Sequence, residues 1–321
     1  MQVLPEVLSP FIGEVAALTA AGLWALASVI YGWLGQQISA LALNVLKGCA
    51  AIAMLLLTIA LTETNFSLNA GIPLAAILPL SLSGVVGIGI GDTAFFKVLN
   101  TLGPRRALLL ETLAPPLTAL LGLFFLQEYL SLQAWLGILI TIAGVAWVLS
   151  ERTASLSYAF NPDLLKQGLA WAFVAEICQA TGILLSRSVF LEMEISPLWS
   201  SLVRISAGTF TALLLFGFQR RGVKLDPLQT VQQIQKRFTP RLLVGILLGA
   251  FGGTFLGIWL QQTAVKYTLA GIAQTLSATS PLFAIPIAVV CGEAVSLRSI
   301  LGAIVSIIGI GVLVSAASGM S

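Results

Sequence analysis

The chain of 321 residues is 58% hydrophobic, and only 9% of its residues are charged. Soluble domains carry about 25% charged residues, so this composition excludes a water-soluble particle and makes the bilayer the solvent. The net charge of +3 is too small to indicate a nucleic-acid partner. The chain has no histidine, and its three cysteines show neither disulfide nor metal spacing, so no metal or other cofactor is expected.

Ten predominantly apolar segments follow one another along the chain. About 20 apolar residues are needed to cross a hydrocarbon core of ~30 Å as a helix, and lipid offers no partner to an open backbone. We therefore predict an all-α integral membrane protein with ten transmembrane helices. The predicted segments are residues 13–34, 41–62, 75–99, 105–126, 131–150, 166–187, 197–219, 241–265, 269–291 and 296–316.

A stretch of the first half of the chain recurs in the second half. Residues 84–150 align with residues 249–315 without a gap, at an offset of 165 residues. The coincident residues include glycine, proline and glutamate as well as common apolar residues, which indicates a tandem duplication. The matched pairs include Gly84 with Gly249, Gly87 with Gly252, Pro116 with Pro281, Glu128 with Glu293, and Gly144 with Gly309.

The duplication predicts two repeats of five helices each. The first repeat covers residues 13–150, the second covers residues 166–316, and residues 151–165 form the linker. Because five is an odd number, the second repeat enters the membrane from the opposite side. The repeats are therefore expected to be inverted about an axis in the membrane plane.

Lysine and arginine are distributed unequally between the two predicted membrane faces. Only Arg187 and Lys266 are assigned to the face of the chain termini. The positive-inside rule therefore predicts termini outside the cytoplasm and a cytoplasmic polar loop at residues 220–240. The basic residues of the other face are Arg105, Arg106, Arg152, Lys166, Arg220, Arg221, Lys224, Lys236, Arg237, Arg241 and Arg298.

Several motifs occur once in each repeat: a glycine-rich third helix, a proline in the fourth, a corner (QEYLSL and GEAVSL), and LG…G in the fifth. This combination resembles the EamA domain of the drug/metabolite transporter superfamily, over nearly the whole chain. The resemblance implies a secondary transporter of the inner membrane, not an enzyme, with a central cavity lined by both halves. It implies export of amino acids or other small metabolites, whereas relatives carry nucleotide sugars, sugar phosphates or drugs. Cytoplasmic termini are usual in the family, and the charge rule disagrees here.

Six ionisable residues fall at membrane depth: Lys47, Asp92, Lys97, Glu111, Glu176 and Arg204. A charge near the bilayer centre costs ~2.5–3.5 kcal/mol, so each residue should face a cavity or a partner. Helix directions place the first four in the same half of the membrane, where either acid could pair with either lysine. Two interpretations stay open: the pairs only neutralise one another, or Asp92 or Glu111 binds a proton or a substrate amine.

Glu176 is the deepest acid, about ten residues or ~15 Å into the sixth helix. We expect it to line the cavity, with a packing hydrogen bond to Gln179 or Thr181 as the alternative. Lys47 and Arg204 occupy roughly corresponding positions, where they serve the fold or hold an anionic group. The positions equivalent to Asp92, Lys97 and Glu111 are neutral in the second repeat, so charge handling is expected on one side of the cavity.

Polar and aromatic residues on several helices are further candidates for contact with a substrate, although each could instead join two helices. They are Trp24, Tyr31, Gln179, Trp259, Gln262 and Gln274. Proline removes a backbone donor and bends a helix, so four prolines are hinge candidates. These are Pro115, Pro116, Pro281 and Pro286.

The predicted function is export of small metabolites such as amino acids by a secondary transporter, with or without proton coupling. The transporter is expected to act as a monomer or homodimer in the plasma membrane. Efflux of lipophilic cations or multiple drugs is an alternative, favoured by Glu176 and the aromatic residues. An integral-membrane enzyme acting on a lipid-linked substrate is an alternative of another class. Such an enzyme needs a nucleophile and a general base clustered at one membrane face, for which the sequence offers no motif.

Overall fold

The computed structural model describes residues 11–62, 72–102, 107, 110–149, 162–220, 239–283, 286 and 296–318. Every regular element within these ranges is helical, and none of them is a strand. The helices are α1 (Ile12–Gly35), α2 (Ala40–Thr62), α3 (Leu74–Leu102), α4 (Ala114–Phe125), α5 (Leu132–Leu149), α6 (Pro162–Glu192), α7 (Pro197–Arg220), α8 (Pro240–Tyr267), α9 (Ala270–Ser277) and α10 (Leu297–Ser318).

Six of the described helices, α1, α2, α3, α6, α7 and α8, are long and apolar enough to cross a membrane. Shorter apolar stretches lie in α4, α5 and α10. The all-α prediction is confirmed for the described part of the chain. The count of ten crossings stays a prediction, because the fourth and ninth predicted segments, 105–126 and 269–291, extend beyond the described residues.

The main difference in helix boundaries concerns α6. It begins at Pro162 and ends at Glu192, so residues 162–165 of the predicted linker are helical, while residues 151–161 lie outside the described part. The longer helix also contains Arg187, which the charge count treated as a loop residue. In the polar loop predicted for residues 220–240, Arg220 ends α7 and Pro240 begins α8, and residues 221–238 lie outside the described part.

Two helices contain a π-helical segment in their middle, which the sequence analysis predicted as ordinary helix. The segments are Gly84–Asp92 in α3 and Ala250–Leu256 in α8. At the repeat offset of 165 residues the first segment corresponds to residues 249–257, which include the second, so the two repeats share this deviation. In a π-helix the backbone bonds run from residue i to i+5, and such segments are frequent at functional sites.

The fourth helix of the first repeat and the ninth of the chain are both interrupted next to proline. Thr112 and Leu113 form a turn before α4, which carries Pro115 and Pro116 in its first turn. Ala278 and Thr279 form the corresponding turn after α9, and Pro281 follows in the helical residues 280–283. Proline suits a first helical turn, because the amide hydrogen it lacks has no partner there. Pro286 is helical and exposed.

Helices α5 and α10 occupy equivalent positions in the two repeats and pack against each other in antiparallel directions. Gly137 lies against Leu313, and Gly144 lies against Ser306, so the numbering falls in α10 as it rises in α5. The equivalent contact, Thr141 against Gly309, is also present. Ser306 Oγ donates to Thr141 O at 3.3 Å, and these two residues are themselves equivalent. A pseudo-two-fold axis therefore passes beside them.

The glycines of the π segments allow neighbouring helices to approach closely. A Cβ at Gly84 would overlap the backbone of Arg204 on α7, and one at Gly182 on α6 would lie 3.1 Å from the Cα of Gly87. In the second half, a Cβ at Gly253 would lie 2.9 Å from the Tyr31 hydroxyl of α1. Each π segment is thus in contact with the first helix of the other repeat.

Candidate functional site

A cavity of about 950 Å³, including the open space at its mouth, lies between helices of both repeats. The cavity is concave and has both apolar and polar lining residues, as sites for small molecules do. Its apolar wall includes Ile88, Phe95, Phe96, Leu99 and Ile258. The polar lining residues are Trp24, Ser28, Tyr31, Lys47, Asp92, Glu111, Gln179, Arg204, Gln261, Gln274, Ser277 and Ser280.

The structure brings most of the candidate residues of the sequence analysis together at this cavity. Those that line it are Trp24, Tyr31, Lys47, Asp92, Glu111, Gln179, Arg204 and Gln274. Lys97, Glu176, Trp259 and Gln262 do not belong to the lining. The lining helices come from both repeats, but the two acids belong to the first repeat.

Three of the residues outside the lining make contacts between or within helices. Lys97 Nζ lies 3.6 Å from the centre of the Trp171 ring, in a cation–π contact with α6. The Trp259 ring packs 6.0 Å from that of Phe255 in the apolar core. Gln262 Oε1 accepts a hydrogen bond of 2.9 Å from Ser200 Oγ, which joins α8 to α7.

Glu176 does not line the cavity, contrary to the expectation drawn from its depth. Its side chain is buried, with 2% exposure, and its Oε2 has no hydrogen-bond partner among the described residues. Gln179 reaches the cavity instead, because three residues correspond to a rotation of about 60° around a helix.

Lys47 and Asp92 form an ion pair in the cavity wall. Lys47 Nζ on α2 lies 2.5 Å from Asp92 Oδ2 at the end of the π segment of α3. Gln179 Nε2 on α6 lies 3.5 Å from the other carboxylate oxygen of Asp92. The two opposite charges neutralise each other, so neither is left for a ligand of opposite charge without breaking the pair.

Arg204 on α7 is the most deeply buried charge of the cavity wall, with 1% exposure. Its Nε and Nη1 atoms have no hydrogen-bond partner among the described residues. A buried charge without a partner is costly, so such a guanidinium is suited to an anionic group of a ligand. In the same cavity lining, Gln274 Oε1 and Ser277 Oγ are also buried and without partners in the described part.

Two aromatic residues of α1 are held against the π segment of α8. Trp24 Nε1 donates to Gly253 O at 2.7 Å, and the Tyr31 hydroxyl donates to Gly249 O at 2.6 Å. In the same way, Asn44 Nδ2 on α2 donates to Ile88 O in the π segment of α3 at 2.9 Å. Side chains thus satisfy carbonyl groups of the π segments, and the aromatic wall of the cavity is fixed in place.

Sequence reasoning missed two features of the site. Phe95, Phe96 and Ser280 line the cavity, although they were not among the candidates. The π segments also went unrecognised, because they are composed of the same apolar residues as the surrounding helix. The one available signal was the concentration of glycine at equivalent positions of the two repeats.

Comparisons with known proteins agree with this architecture. The profile of the EamA-like transporter family matches residues 11–150 and, a second time, residues 166–315. No curated protein gave a significant match to the sequence. Among the solved structures, 29 chains match. One of them, named only as the crystal structure of a protein, has a TM-score of 0.72 and 17% identity, covers 98% of this chain and is itself covered to 99%.

The structural match shows the shared fold, and the family match extends over both repeats and most of the chain. The six long apolar spans fit the same assignment. The chain therefore belongs to the EamA-like transporter family and is a multi-pass membrane transporter of the drug/metabolite transporter type.

Proposed function

We propose that the protein is a secondary transporter that exports small zwitterionic metabolites, such as amino acids. The supporting observation is the arrangement of the four charged residues of the cavity. Lys47 and Asp92 neutralise each other, whereas Arg204 and Glu111 have no ion-pair partner among the described residues. A zwitterion supplies both missing partners, with its carboxylate at Arg204 and its ammonium group at Glu111.

The α9 wall supports the same class of ligand. Gln274 Oε1 can accept a hydrogen bond from the ammonium group, and Ser277 Oγ can donate to or accept from either polar end. The aromatic side chains of Tyr31 and Phe96, whose rings lie 5.8 Å apart edge to face, provide an apolar surface for the remainder of the molecule.

Transport assays on reconstituted vesicles test this proposal. Uptake and counterflow of labelled amino acids would be measured, together with their amides, which lack the carboxylate. We expect transport of one or more amino acids, and faster transport of each amino acid than of its amide. Arg204→Gln should abolish this preference. Glu111→Gln should weaken transport of the same amino acid, and Glu194→Gln, at an exposed residue outside the cavity lining, is the control. Transport of no amino acid would contradict the proposal.

Efflux of lipophilic cations is the second candidate, because Trp24, Tyr31, Phe95 and Phe96 give the cavity an aromatic wall. Aromatic rings attract organic cations. The Arg204 guanidinium opposes such a ligand by charge repulsion. Tetraphenylphosphonium, a lipophilic cation, distinguishes the two candidates in the same vesicles. Transport of this cation that Arg204→Gln stimulates would support drug efflux. Transport of amino acids but not of this cation would support the first proposal.

Alternating access of two inverted five-helix repeats is the proposed mechanism. The antiparallel packing of the equivalent helices α5 and α10 supports inversion, because an axis perpendicular to both helices relates them. The broken helices next to Pro115, Pro116 and Pro281 are the proposed hinges, and Pro286 is a further one. The repeats over residues 13–150 and 166–316 would then rock against each other around the cavity.

Coupling to protons is assigned to Glu176 and Asp92, the acids behind and within the cavity wall. Glu176 Oε2 is buried without a hydrogen-bond partner among the described residues, and Asp92 is held by Lys47. If either acid carries the coupled proton, Glu176→Gln or Asp92→Asn should remove the dependence of transport on a pH gradient. Unchanged transport and pH dependence in both variants would contradict this assignment.

The proposed location is the plasma membrane, with ten crossings and with the termini outside the cytoplasm. The charge distribution over the predicted loops supports this orientation. A reporter protein fused after Ser321 tests it directly. Activity of the reporter only on the cytoplasmic side would reverse the orientation without affecting the fold or the cavity.

A further inference from the structure

A buried polar network lies at the end of the helix bundle where α1 begins and where α6 and α8 end. Arg187 Nε donates to Glu128 Oε1 at 2.5 Å, and Arg187 Nη1 donates to the carbonyl groups of Val265 and Lys266 at 2.8 and 2.9 Å. Glu128 Oε2 accepts from the amide of Ala270 at 2.9 Å. Glu128 and Arg187 are each 8% exposed.

The network connects the two repeats. Glu128 lies in the corner between α4 and α5 of the first repeat, whereas Arg187, Val265, Lys266 and Ala270 belong to α6, α8 and α9 in the second repeat. The corner itself is constrained, because the preceding residue, Gln127, has a positive φ of 55°. One ion pair thus joins four elements, and both oxygens of the carboxylate are used.

The network lies immediately beyond the cavity. On α9, Ala270 comes four residues before the lining residue Gln274, and on α8, Val265 comes four residues after the lining residue Gln261. Four residues correspond to about 6 Å along a helix. In the opposite direction the lining extends to Leu99, three residues before the end of α3. The cavity therefore reaches towards the opposite end of the bundle and is covered at this end.

We propose that the Glu128–Arg187 ion pair is the gate that closes the cavity at the end where α1 begins. Its opening separates the corner of the first repeat from α6, α8 and α9 of the second, and so admits solvent and ligand from that end. This inference rests on the proposed transport function for its purpose, but its geometry involves none of the proposed substrate contacts.

A gate of this kind must hold firmly when closed and must still open. Loss of one partner from a buried, hydrogen-bonded ion pair leaves an uncompensated charge and is strongly unfavourable for the closed arrangement. In the open arrangement both groups regain water, so the same substitution costs much less there. Removing one partner therefore shifts the equilibrium towards opening at this end.

The experiment measures access to the cavity from each side without any substrate. In a background with Cys49, Cys178 and Cys291 replaced by serine, Ser277→Cys places one thiol in the α9 wall. A membrane-impermeant maleimide is added to sealed vesicles of both orientations, and a tag after Ser321 identifies the sides. We expect the thiol to react mainly from the end opposite to the gate.

In the same background, Glu128→Gln should raise the labelling rate from the gate end by roughly tenfold or more, because the closed state loses a buried charge partner. Arg187→Lys keeps the charge but cannot donate to Glu128 and two carbonyl groups in the same geometry, so a smaller increase is expected. Glu194→Gln is the matched control, because its ion pair with Lys266 lies at the same end and the Glu194 side chain is 94% exposed.

Unchanged gate-end labelling in inserted Glu128→Gln and Arg187→Lys proteins would overturn the proposal, as would equal labelling of the parent from both ends. If Glu128→Gln does not fold, the conservative Arg187→Lys variant decides. If labelling changes as expected while the parent protein with Ser277 intact moves no amino acid, the gate is supported and the proposed substrate class is contradicted. Amino-acid transport with unchanged labelling would do the reverse.

Discussion

Replacing Asp92 by asparagine while leaving Lys47 in place should destabilise the protein more than the reverse change, Lys47→Met. The Lys47 side chain is 5% exposed and the Asp92 side chain 18%. After Asp92→Asn, the buried ammonium group has lost its anionic partner, and the ring of Phe96 lies 5.3 Å away. After Lys47→Met, Asp92 keeps the Gln179 side chain as a donor, and its greater exposure lets water solvate the carboxylate.

The magnitude follows from the geometry of the pair. Two unit charges 2.5 Å apart attract by about 7 kcal/mol at an effective dielectric constant of 20. Desolvation of both groups offsets much of this attraction, and breaking a buried pair from one side typically costs about 3–5 kcal/mol. We expect Asp92→Asn to fall in that range and Lys47→Met to fall below it. The double variant should be more stable than Asp92→Asn alone, because neither charge of this pair is then left buried without its partner.

Unfolding in detergent micelles, followed by the loss of helical signal with rising denaturant, gives the four free energies of unfolding that a double-mutant cycle needs. A coupling energy of about 1–3 kcal/mol between the two sites is the expected result. Asp92→Asn as stable as the parent would refute the reasoning. So would a double variant whose loss equals the sum of the two single losses, since the pair would then contribute nothing.

Two further predictions concern the helix contacts. Gly144→Leu should prevent recovery of folded, monodisperse protein in detergent, because a Cβ at Gly144 would overlap Ser306 of α10. Gly311→Leu is the control and should be tolerated, because Gly311 faces open space. Equal recovery of both variants would contradict the α5–α10 packing. Tyr31→Phe should lower the free energy of unfolding by about 1 kcal/mol, because Gly249 O loses its side-chain donor, and an unchanged denaturant midpoint would show that water replaces the hydroxyl.

The helices could be predicted because the requirement for about 20 apolar residues is local in the sequence. The duplication could be recognised because glycine and proline coincide at one offset, as Gly84 and Gly249 do. Helix α6 (Pro162–Glu192) extends beyond both ends of the predicted segment 166–187, and Arg187, which was counted as a loop charge, lies inside it. In the fold its charge is satisfied by Glu128 and two carbonyl groups, contacts that no local pattern reveals.

For the site, depth within the membrane was predictable and rotation around a helix was not. Counting residues placed Lys47 and Asp92 in the same half of the bilayer, and the structure pairs them. The face of α6 could not be predicted in the same way, because apolar residues surround that helix in this region. Glu176 was therefore expected in the cavity, whereas Gln179 lines it. Packing between helices, not composition, determines which of the two faces inward.

The contact between α5 and α10 has a consequence for how the fold can be assembled. Equivalent residues meet across it, as Thr141 and Ser306 do, which is the pattern of an isologous interface in a two-fold dimer. The intact protein thus has the symmetry of two half-length subunits that insert in opposite orientations and join by a common surface. In a dimer of identical subunits each substitution appears twice, whereas in this single chain it appears in one half only. The two halves can therefore differ in sequence, as they do at Asp92 and Glu111, whose equivalents in the second repeat are neutral.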